Sequence, residues 1–199
     1  MKNRNDNVNR AIAKLYARSV SLGSKLTDFD EFNEKKTKYD FVMSETEAKA
    51  KVEDYYSGQI QVSETEVVTE LRAAQKSYHA SQLGVNPEDY GVSQKDLQII
   101  NEIGLYKYAQ TGKPLPPIEF IRAYQQAIKN AVNNGKPMDI DYHSQAEKLT
   151  HPAKCYVDKR TGKVVVFYKE TGQLLIGLKY KERHITRLLD TRSLGKKTW

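Results

Sequence analysis

The stretch that decides the fold is VDKRTGKVVVFYKETGQLLIGLKY, residues 157–180, in which one turn motif occurs twice. Thr161-Gly162 and Thr171-Gly172 each place a glycine where a tight hairpin requires a positive φ, a conformation that costs little only for glycine. The equal spacing of the two turns predicts an antiparallel meander of three similar strands. Their expected bounds are about 153–158, 163–169 and 173–180.

The residues of this meander also predict how the sheet is covered. VVVFY, residues 164–168, is apolar on both faces, which is typical of a central strand with cover on each side. The helix predicted at 117–134 is the expected cover on one side. The segment KERHITRLLDTRSL predicts a last helix that packs on the sheet. The side chains expected to make that contact are Ile185, Leu188 and Leu189.

Alternation along the third strand predicts which side chains share a face. One face, expected to pack on the core, holds Leu174, Ile176, Leu178 and Tyr180. The other face holds Leu175, Gly177 and Lys179. Gly177 is expected to leave a gap there through which a phosphate approaches the backbone beside Lys179.

The chain before the sheet has helical signals. The capping boxes Ser44-Glu-Thr-Glu47 and Ser63-Glu-Thr-Glu66 each mark a helix start, because the serine accepts from a free N–H while the glutamate reaches back to the serine amide. The helix after Ser63 is expected to end at Gly84. Four further helices are predicted: within residues 8–23, within 28–41, from Ser93 to near Gly112, and at 117–134 with its end at Gly135. GKPMDIDYHSQ, residues 135–145, is interpreted as a loop.

These elements predict an α+β fold, with a helical N-terminal two-thirds followed by a small antiparallel β-meander and a C-terminal helix. The chain is 199 residues long, which fits one domain or a domain with a helical extension. The expected organisation is a helical N-terminal segment, residues 1–60, and a unit of helices plus sheet, residues 61–199.

Composition excludes several classes of protein. Mean hydropathy is -0.71, and no run approaches the roughly 18 to 20 apolar residues that a membrane-spanning helix needs. The start, MKNRNDNVNR, lacks the apolar stretch of a signal peptide, so a cytoplasmic protein is expected. The single cysteine, Cys155, excludes an internal disulfide.

The net charge of +7 is unevenly distributed. Residues 154–199 hold 12 Lys and Arg against 4 Asp and Glu, whereas the preceding residues hold 20 against 21. A balanced body with a basic end is typical of a protein that binds a polyanion. A charged tail that only improves solubility is the alternative.

Three segments of this region resemble the C-terminal RNase domains of bacterial toxins, namely colicin D and its relatives among contact-dependent and polymorphic toxins. The similar stretches are Tyr156-Val-Asp158-Lys-Arg-Thr161-Gly162, Lys169-Glu-Thr-Gly172 and Gly177-Leu-Lys179. Such domains also carry a Lys/His cluster near a helix, and QKSYHASQLGV, residues 75–85, is similar. The chain departs from the family at Ile176 and Leu178, which flank the glycine of the last strand.

The resemblance implies a metal-independent endoribonuclease that cleaves structured RNA such as tRNA. It also implies an acidic immunity protein that masks the basic sheet. If the site residues of that family are transferred to the matching positions of this sequence, His79 is the acid/base, with Lys76 and Lys179 as cationic partners. Residues 61–199 are then the candidate RNase or nucleic-acid-binding domain.

The chemistry of RNA cleavage without a metal supports the same choice of residue types. A base takes the 2′-hydroxyl proton, an acid protonates the leaving oxygen, and cations stabilise charge on phosphorus. Histidine suits the first two roles because its unperturbed pKa of about 6.5 lies near working pH. His79 beside Lys76 is the first candidate, and His184, just after the sheet, is the second. Ordinary surface or core-edge histidines are the alternative.

Basic residues around the turns are expected to contact RNA phosphates without reading sequence. They are Lys154, Lys159, Arg160, Lys163, Lys169 and Arg183. Three interleaved aromatic residues either stack on unpaired bases or belong to the core. They are Tyr156, Phe167 and Tyr168.

No cofactor or metal is predicted. His143, His151, Cys155 and Asp158 match no common zinc spacing. The sequence also lacks a Walker-type loop, a G-x-G-x-x-G loop and a G-x-S-x-G elbow, so nucleotide hydrolysis and acyl transfer have no support.

Two other functions remain open. One is a non-enzymatic phage or mobile-element protein whose helical body assembles and whose basic sheet binds nucleic acid. Its support is the even charge of residues 1–153. The other is a module that binds only proteins.

Overall fold

The structure is a computed structural model that describes residues 39–60, 63–144 and 147–195. The chain divides into two compact units, Met1–Val42 and Met43–Trp199, and every element below belongs to the second. The helix predicted within residues 8–23 lies outside the described residues. The helix predicted within 28–41 also lies outside them except for its last three residues, which are not helical.

Helices make up the first part of the second unit. The α-helices are α1 Glu45–Ile60, α2 Glu64–Lys76, α3 Gln94–Ile103, α4 Leu105–Gln110, α5 Ile118–Asn134 and, after the sheet, α6 Glu182–Thr191. Short 3₁₀-helices span Ser77–Leu83 and Pro87–Tyr90. None of the helices in this described part of the chain is both long and apolar enough to cross a membrane.

The predicted caps are present. The Ser44 amide donates to Glu47 Oε2 at 2.7 Å, and the Glu47 amide donates to Ser44 Oγ at 3.2 Å. Ser93 Oγ accepts from the amide of Asp96 at 3.0 Å and begins α3. These bonds satisfy amides that a helix start otherwise leaves without a partner.

Two predicted helices are interrupted. The helix from Ser63 changes to a 3₁₀-helix at Ser77, whose hydroxyl donates to the Ala74 carbonyl at 2.6 Å and so competes for a backbone acceptor. It ends at Gly84, as predicted. The helix from Ser93 breaks into α3 and α4 at Gly104, whose φ of 86° is not helical.

The C-terminal part forms a five-stranded sheet in the order β4-β3-β2-β1-β5. Its strands are β1 Lys136–Ser144, β2 Leu149–Asp158, β3 Lys163–Tyr168, β4 Leu174–Lys179 and β5 Ser193–Leu194. The first four pair antiparallel, and β5 pairs parallel with β1. The predicted meander is confirmed as β2, β3 and β4, and the fold is α+β with a mixed sheet.

The interpretation of residues 135–145 as a loop is wrong. β1 pairs with β2 along its whole length, from Lys136 opposite Val157 to Ser144 opposite Leu149. Its burial alternates with the period of two that a half-covered strand requires. Gly135, the C-cap of α5, leads directly into the strand.

Helices cover both faces of the sheet. Ile185 and Leu188 of α6 are buried in one apolar cluster with Cys155 and Val166, and Leu189 packs at its margin. α5 contacts β2 and β3 from the opposite side. The three valines of β3 are fully buried, so the predicted cover on both faces is confirmed.

A β-bulge changes the expected alternation in β4. Val166 pairs with Ile176 and Phe167 with Leu174, so Leu175 is the extra residue. Leu174 therefore lines a groove with Phe167 on the α5 side, and Leu175 joins the apolar cluster. The prediction that Leu174 shares the face of Ile176 is wrong for this reason.

Candidate functional site

A cleft of about 770 Å³ lies where the β2–β3 turn, the end of β4 and the first 3₁₀-helix meet. Four cationic residues line this basic cleft: Arg160, Lys163, Lys179 and Lys181. The other lining residues are Ser81, Gln82, Gly84, Thr161 and Tyr180, so no carboxylate is among them. The cleft is therefore a site of concentrated positive charge.

Asp158 organises the turn that forms one wall of the basic cleft. Its carboxylate accepts the Thr161 hydroxyl at 2.7 Å and the Arg160 amide at 3.0 Å. The hydrogen bond from the Thr161 side chain is the main reason that the pKa of Asp158 lies below its usual value. The carboxylate of Asp158 thus stabilises the turn through these hydrogen bonds.

The turn is fixed against the end of β4. The Tyr180 amide donates to the Gly162 carbonyl at 2.8 Å, and a Cβ on Gly162 would lie 2.6 Å from the Tyr180 carbonyl oxygen. This contact places Lys163 and Lys179 directly opposite each other on adjacent strands. Like charges in such cross-strand positions repel and destabilise a sheet.

His79 lies beside the basic cleft on the first 3₁₀-helix and is half-buried. Its Nδ1 is 3.1 Å from Gln82 Nε2, while Gln82 Oε1 accepts the Lys179 amide at 3.1 Å. One glutamine therefore links the candidate histidine to the candidate lysine. Burial lowers the pKa of His79.

Lys76 precedes His79 but is not among the residues that line the basic cleft. It is the last residue of α2, and its carbonyl accepts the Tyr124 hydroxyl at 3.0 Å. Tyr124 thus satisfies a carbonyl at the change from α-helix to 3₁₀-helix and ties that change to α5.

The prediction of a gap for phosphate at Gly177 is wrong, because the helical residues Leu83 and Tyr124 fill that space. A Cβ on Gly177 would lie 3.0 Å from Leu83 Cδ1 and 3.5 Å from the Tyr124 hydroxyl. The glycine instead allows the 3₁₀-helix to approach β4, which brings Gln82 within reach of Lys179.

His184 lies at a different site from His79. It lines a cavity of about 250 Å³ with Arg187, and its ring meets that of Tyr180 edge-on, with centroids 5.8 Å apart. Tyr180 also lines the basic cleft, but neither histidine is among its lining residues.

The remaining predicted RNA contacts are dispersed. Lys169 Nζ is 2.9 Å from Asp139 Oδ2, and Lys154 Nζ lies 6.0 Å from the centre of the Tyr156 ring. Lys159 and Arg183 are exposed, the first in the β2–β3 turn and the second in the first turn of α6. Of the six residues predicted to bind RNA, only Arg160 and Lys163 line the basic cleft.

The candidate stacking aromatics pack within the protein. Tyr156 and Phe167 are half-buried and meet edge-on, with centroids 5.9 Å apart. Tyr168 packs against the apolar cluster beneath α6. These contacts favour the core-packing alternative for the three residues.

The part of the chain that the structure describes contains no group of three or more His, Cys, Asp or Glu side chains able to hold a metal. Cys155 is fully buried, and burial raises the pKa of its thiol to about 12. A neutral, enclosed thiol is a poor ligand and a poor nucleophile.

Gln82 and Lys181 are two residues lining the basic cleft that the sequence did not predict as site residues. Lys181 directly follows the basic strand, so its position and charge gave a usable signal. Gln82 gave none, because its partner Lys179 is 97 residues away in the chain.

Comparisons with protein-family models, curated proteins and solved structures find no match to this chain.

Proposed function

We propose that this protein binds RNA through the basic cleft. The observation that carries the proposal is the cross-strand pair Lys163 and Lys179, which faces a cleft with two further cations and no lining carboxylate. The repulsion between the two lysines is relieved when a polyanion lies between them. Phosphate contacts of this kind give affinity with little sequence preference.

The proposal is tested by measuring the RNA affinity of a variant in which two cleft lysines are replaced by glutamate. Lys163→Glu/Lys179→Glu is expected to weaken binding of a fluorescein-labelled tRNA about tenfold or more, measured by fluorescence anisotropy at fixed salt. Lys95→Glu/Lys107→Glu is the matched control, because both lysines are exposed on helices α3 and α4 and the net charge changes equally.

Two outcomes would contradict the proposal: no RNA binding by the wild-type protein, or equal losses in the two double variants. Circular dichroism of both variants excludes unfolding as the cause. Duplex DNA of matched length, run in parallel, shows whether the cleft prefers RNA or accepts any polyanion.

A second candidate function is metal-independent RNA cleavage of the bacterial toxin type. It is favoured by the link from His79 through Gln82 to the backbone of Lys179. Induced expression in a bacterium is expected to produce a discrete RNA fragment within minutes. The fragment should disappear in His79→Ala and persist in the control His143→Ala. Intact RNA in cells that contain folded wild-type protein would rule out cleavage.

An acidic protein that covers the basic cleft belongs to the same proposal. Its surface would supply the carboxylates that the cleft lacks. Such a partner is expected to compete with RNA for the wild-type protein and to bind Lys163→Glu/Lys179→Glu poorly. Noncompetitive binding would place the partner elsewhere.

A further inference from the structure

We propose that Gln82 holds His79 as the neutral imidazole with its proton on Nε2, so that His79 donates a hydrogen bond to a phosphate oxygen and does not accept a proton. Gln82 is then a positioning residue. The contact between His79 and a phosphate rests on the proposed function. The protonation state of His79 follows from the protein alone.

The orientation of the Gln82 amide is the first step. The backbone amide of Lys179 can only donate, so the Gln82 atom 3.1 Å from it must be the carbonyl oxygen. The amide nitrogen of Gln82 consequently faces His79. That nitrogen carries two hydrogens and accepts none.

The state of the His79 ring follows. Its Nδ1 lies 3.1 Å from the Gln82 nitrogen and must therefore be the acceptor, without a hydrogen. A neutral imidazole with a bare Nδ1 carries its hydrogen on Nε2. Protonation of Nδ1 would place two N–H groups against each other, and burial of the ring opposes the charged form as well.

The remaining donor has no partner among the residues that the structure describes. Within residues 39–60, 63–144 and 147–195, no hydrogen bond satisfies His79 Nε2, although the ring is half-buried. A phosphate oxygen is an acceptor that satisfies such a donor. The neighbouring Gln82, whose amide contacts the other ring nitrogen, lines the basic cleft, so the His79 ring lies next to that positive charge.

This arrangement limits what His79 can do in RNA cleavage. A neutral N–H donor stabilises negative charge that develops on phosphorus. It cannot take the proton of a 2′-hydroxyl, because its one lone pair is occupied by Gln82. If the protein cleaves RNA while this bond is intact, another group is the proton acceptor.

The direct test is a long-range ¹H–¹⁵N spectrum of the histidine rings in the full-length, ¹⁵N-labelled protein. His79 is assigned by the signals lost in His79→Ala, and its Nδ1 is expected to be unprotonated and its Nε2 protonated. Gln82→Glu is expected to reverse this state. One carboxylate oxygen still accepts the Lys179 amide, and the other presents an acceptor to Nδ1, which must then carry a hydrogen.

The control is Gln126→Glu, which adds the same charge at an exposed residue whose amide contacts Asn130. It should leave the His79 spectrum unchanged. A protonated Nδ1 in the wild-type protein would overturn the inference, as would an identical His79 state in Gln82→Glu that is still folded.

Titration with tripolyphosphate tests the phosphate contact separately. Binding is expected to shift the His79 Nε2 signal together with the amides of Lys163 and Lys179. Shifts at the lysines without one at Nε2 would refute the contact but leave the RNA-binding proposal intact. If no cleft residue responds to tripolyphosphate or to RNA, the proposed function fails, while the protonation state of His79 is still decided by its spectrum.

Discussion

At the scale of single residues, the two Thr-Gly turns have nearly the same sequence but different surroundings. Both glycines are left-handed, with φ of 77° at Gly162 and 66° at Gly172. A Cβ on Gly172 would meet nothing within 4 Å, whereas a Cβ on Gly162 would lie 2.6 Å from the carbonyl oxygen of Tyr180. Of the two turn glycines, only Gly162 therefore lies in close contact with another segment of the chain.

Alanine substitution at each glycine should separate the cost of a left-handed backbone from the cost of the contact with Tyr180. Gly172→Ala is expected to lower the free energy of unfolding by about 1 to 2 kcal/mol, the cost of a left-handed alanine. Gly162→Ala adds a clash with backbone that cannot rotate away, so its loss should be at least about twice as large. Urea denaturation measures both. Equal losses would show that the Tyr180 contact does not constrain the turn.

The same scale explains which site residues the sequence could reveal. Arg160, Lys163 and Lys179 were predicted because charge and turn position are local properties of the chain. The role of Gln82 depends on Gly177, which lets the 3₁₀-helix pack against β4. No local pattern specifies a contact of this kind between distant segments.

At the scale of elements, the strands show where pattern reading succeeds and where it fails. β3 and the turns around it follow from an apolar run between two glycines. β1 also has alternation, with Met138 and Ile140 buried and Asp139 and Asp141 exposed, but Gly135 and Pro137 are residue types that favour a loop. The bulge in β4 left no sequence signal, because Leu174, Leu175 and Ile176 are all apolar and each suits either face.

The contribution of α6 to the sheet can be measured with one leucine. Leu188 is 2% exposed in the cluster beneath α6, so Leu188→Ala is expected to lower the free energy of unfolding by about 2 to 5 kcal/mol. Leu149→Ala is the control, because Leu149 is 56% exposed and its loss should stay within about 0.5 kcal/mol. A small effect of Leu188→Ala in urea denaturation would mean that the helix adds little to the core.

At the scale of the whole molecule, the excess positive charge of residues 154–199 is only partly gathered into one site. Lys169 is paired with Asp139, and the basic cleft brings together four cations from two separate segments, residues 160–163 and 179–181. Composition predicted a polyanion partner, but the fold decides which of the basic residues can contact it together.

The salt dependence of RNA affinity should show how many of those basic residues contact phosphates. If all four cations of the basic cleft contact phosphates, the logarithm of RNA affinity is expected to fall with the logarithm of salt concentration with a slope of about -2.8 to -3.6. Each removed contact should reduce the slope by about 1. Anisotropy titrations at several salt concentrations measure it. A slope near zero would contradict phosphate binding.

The hydrogen bond between Gln82 and the Lys179 amide also affects how molecules of this protein meet one another. β4 is the last strand on its side of the sheet, and such a strand can recruit the backbone of another chain. Here a glutamine from the same chain already occupies the Lys179 amide. An incoming strand would have to displace it, so this end of β4 resists self-association into extended sheets while the neighbouring lysines remain open to solvent.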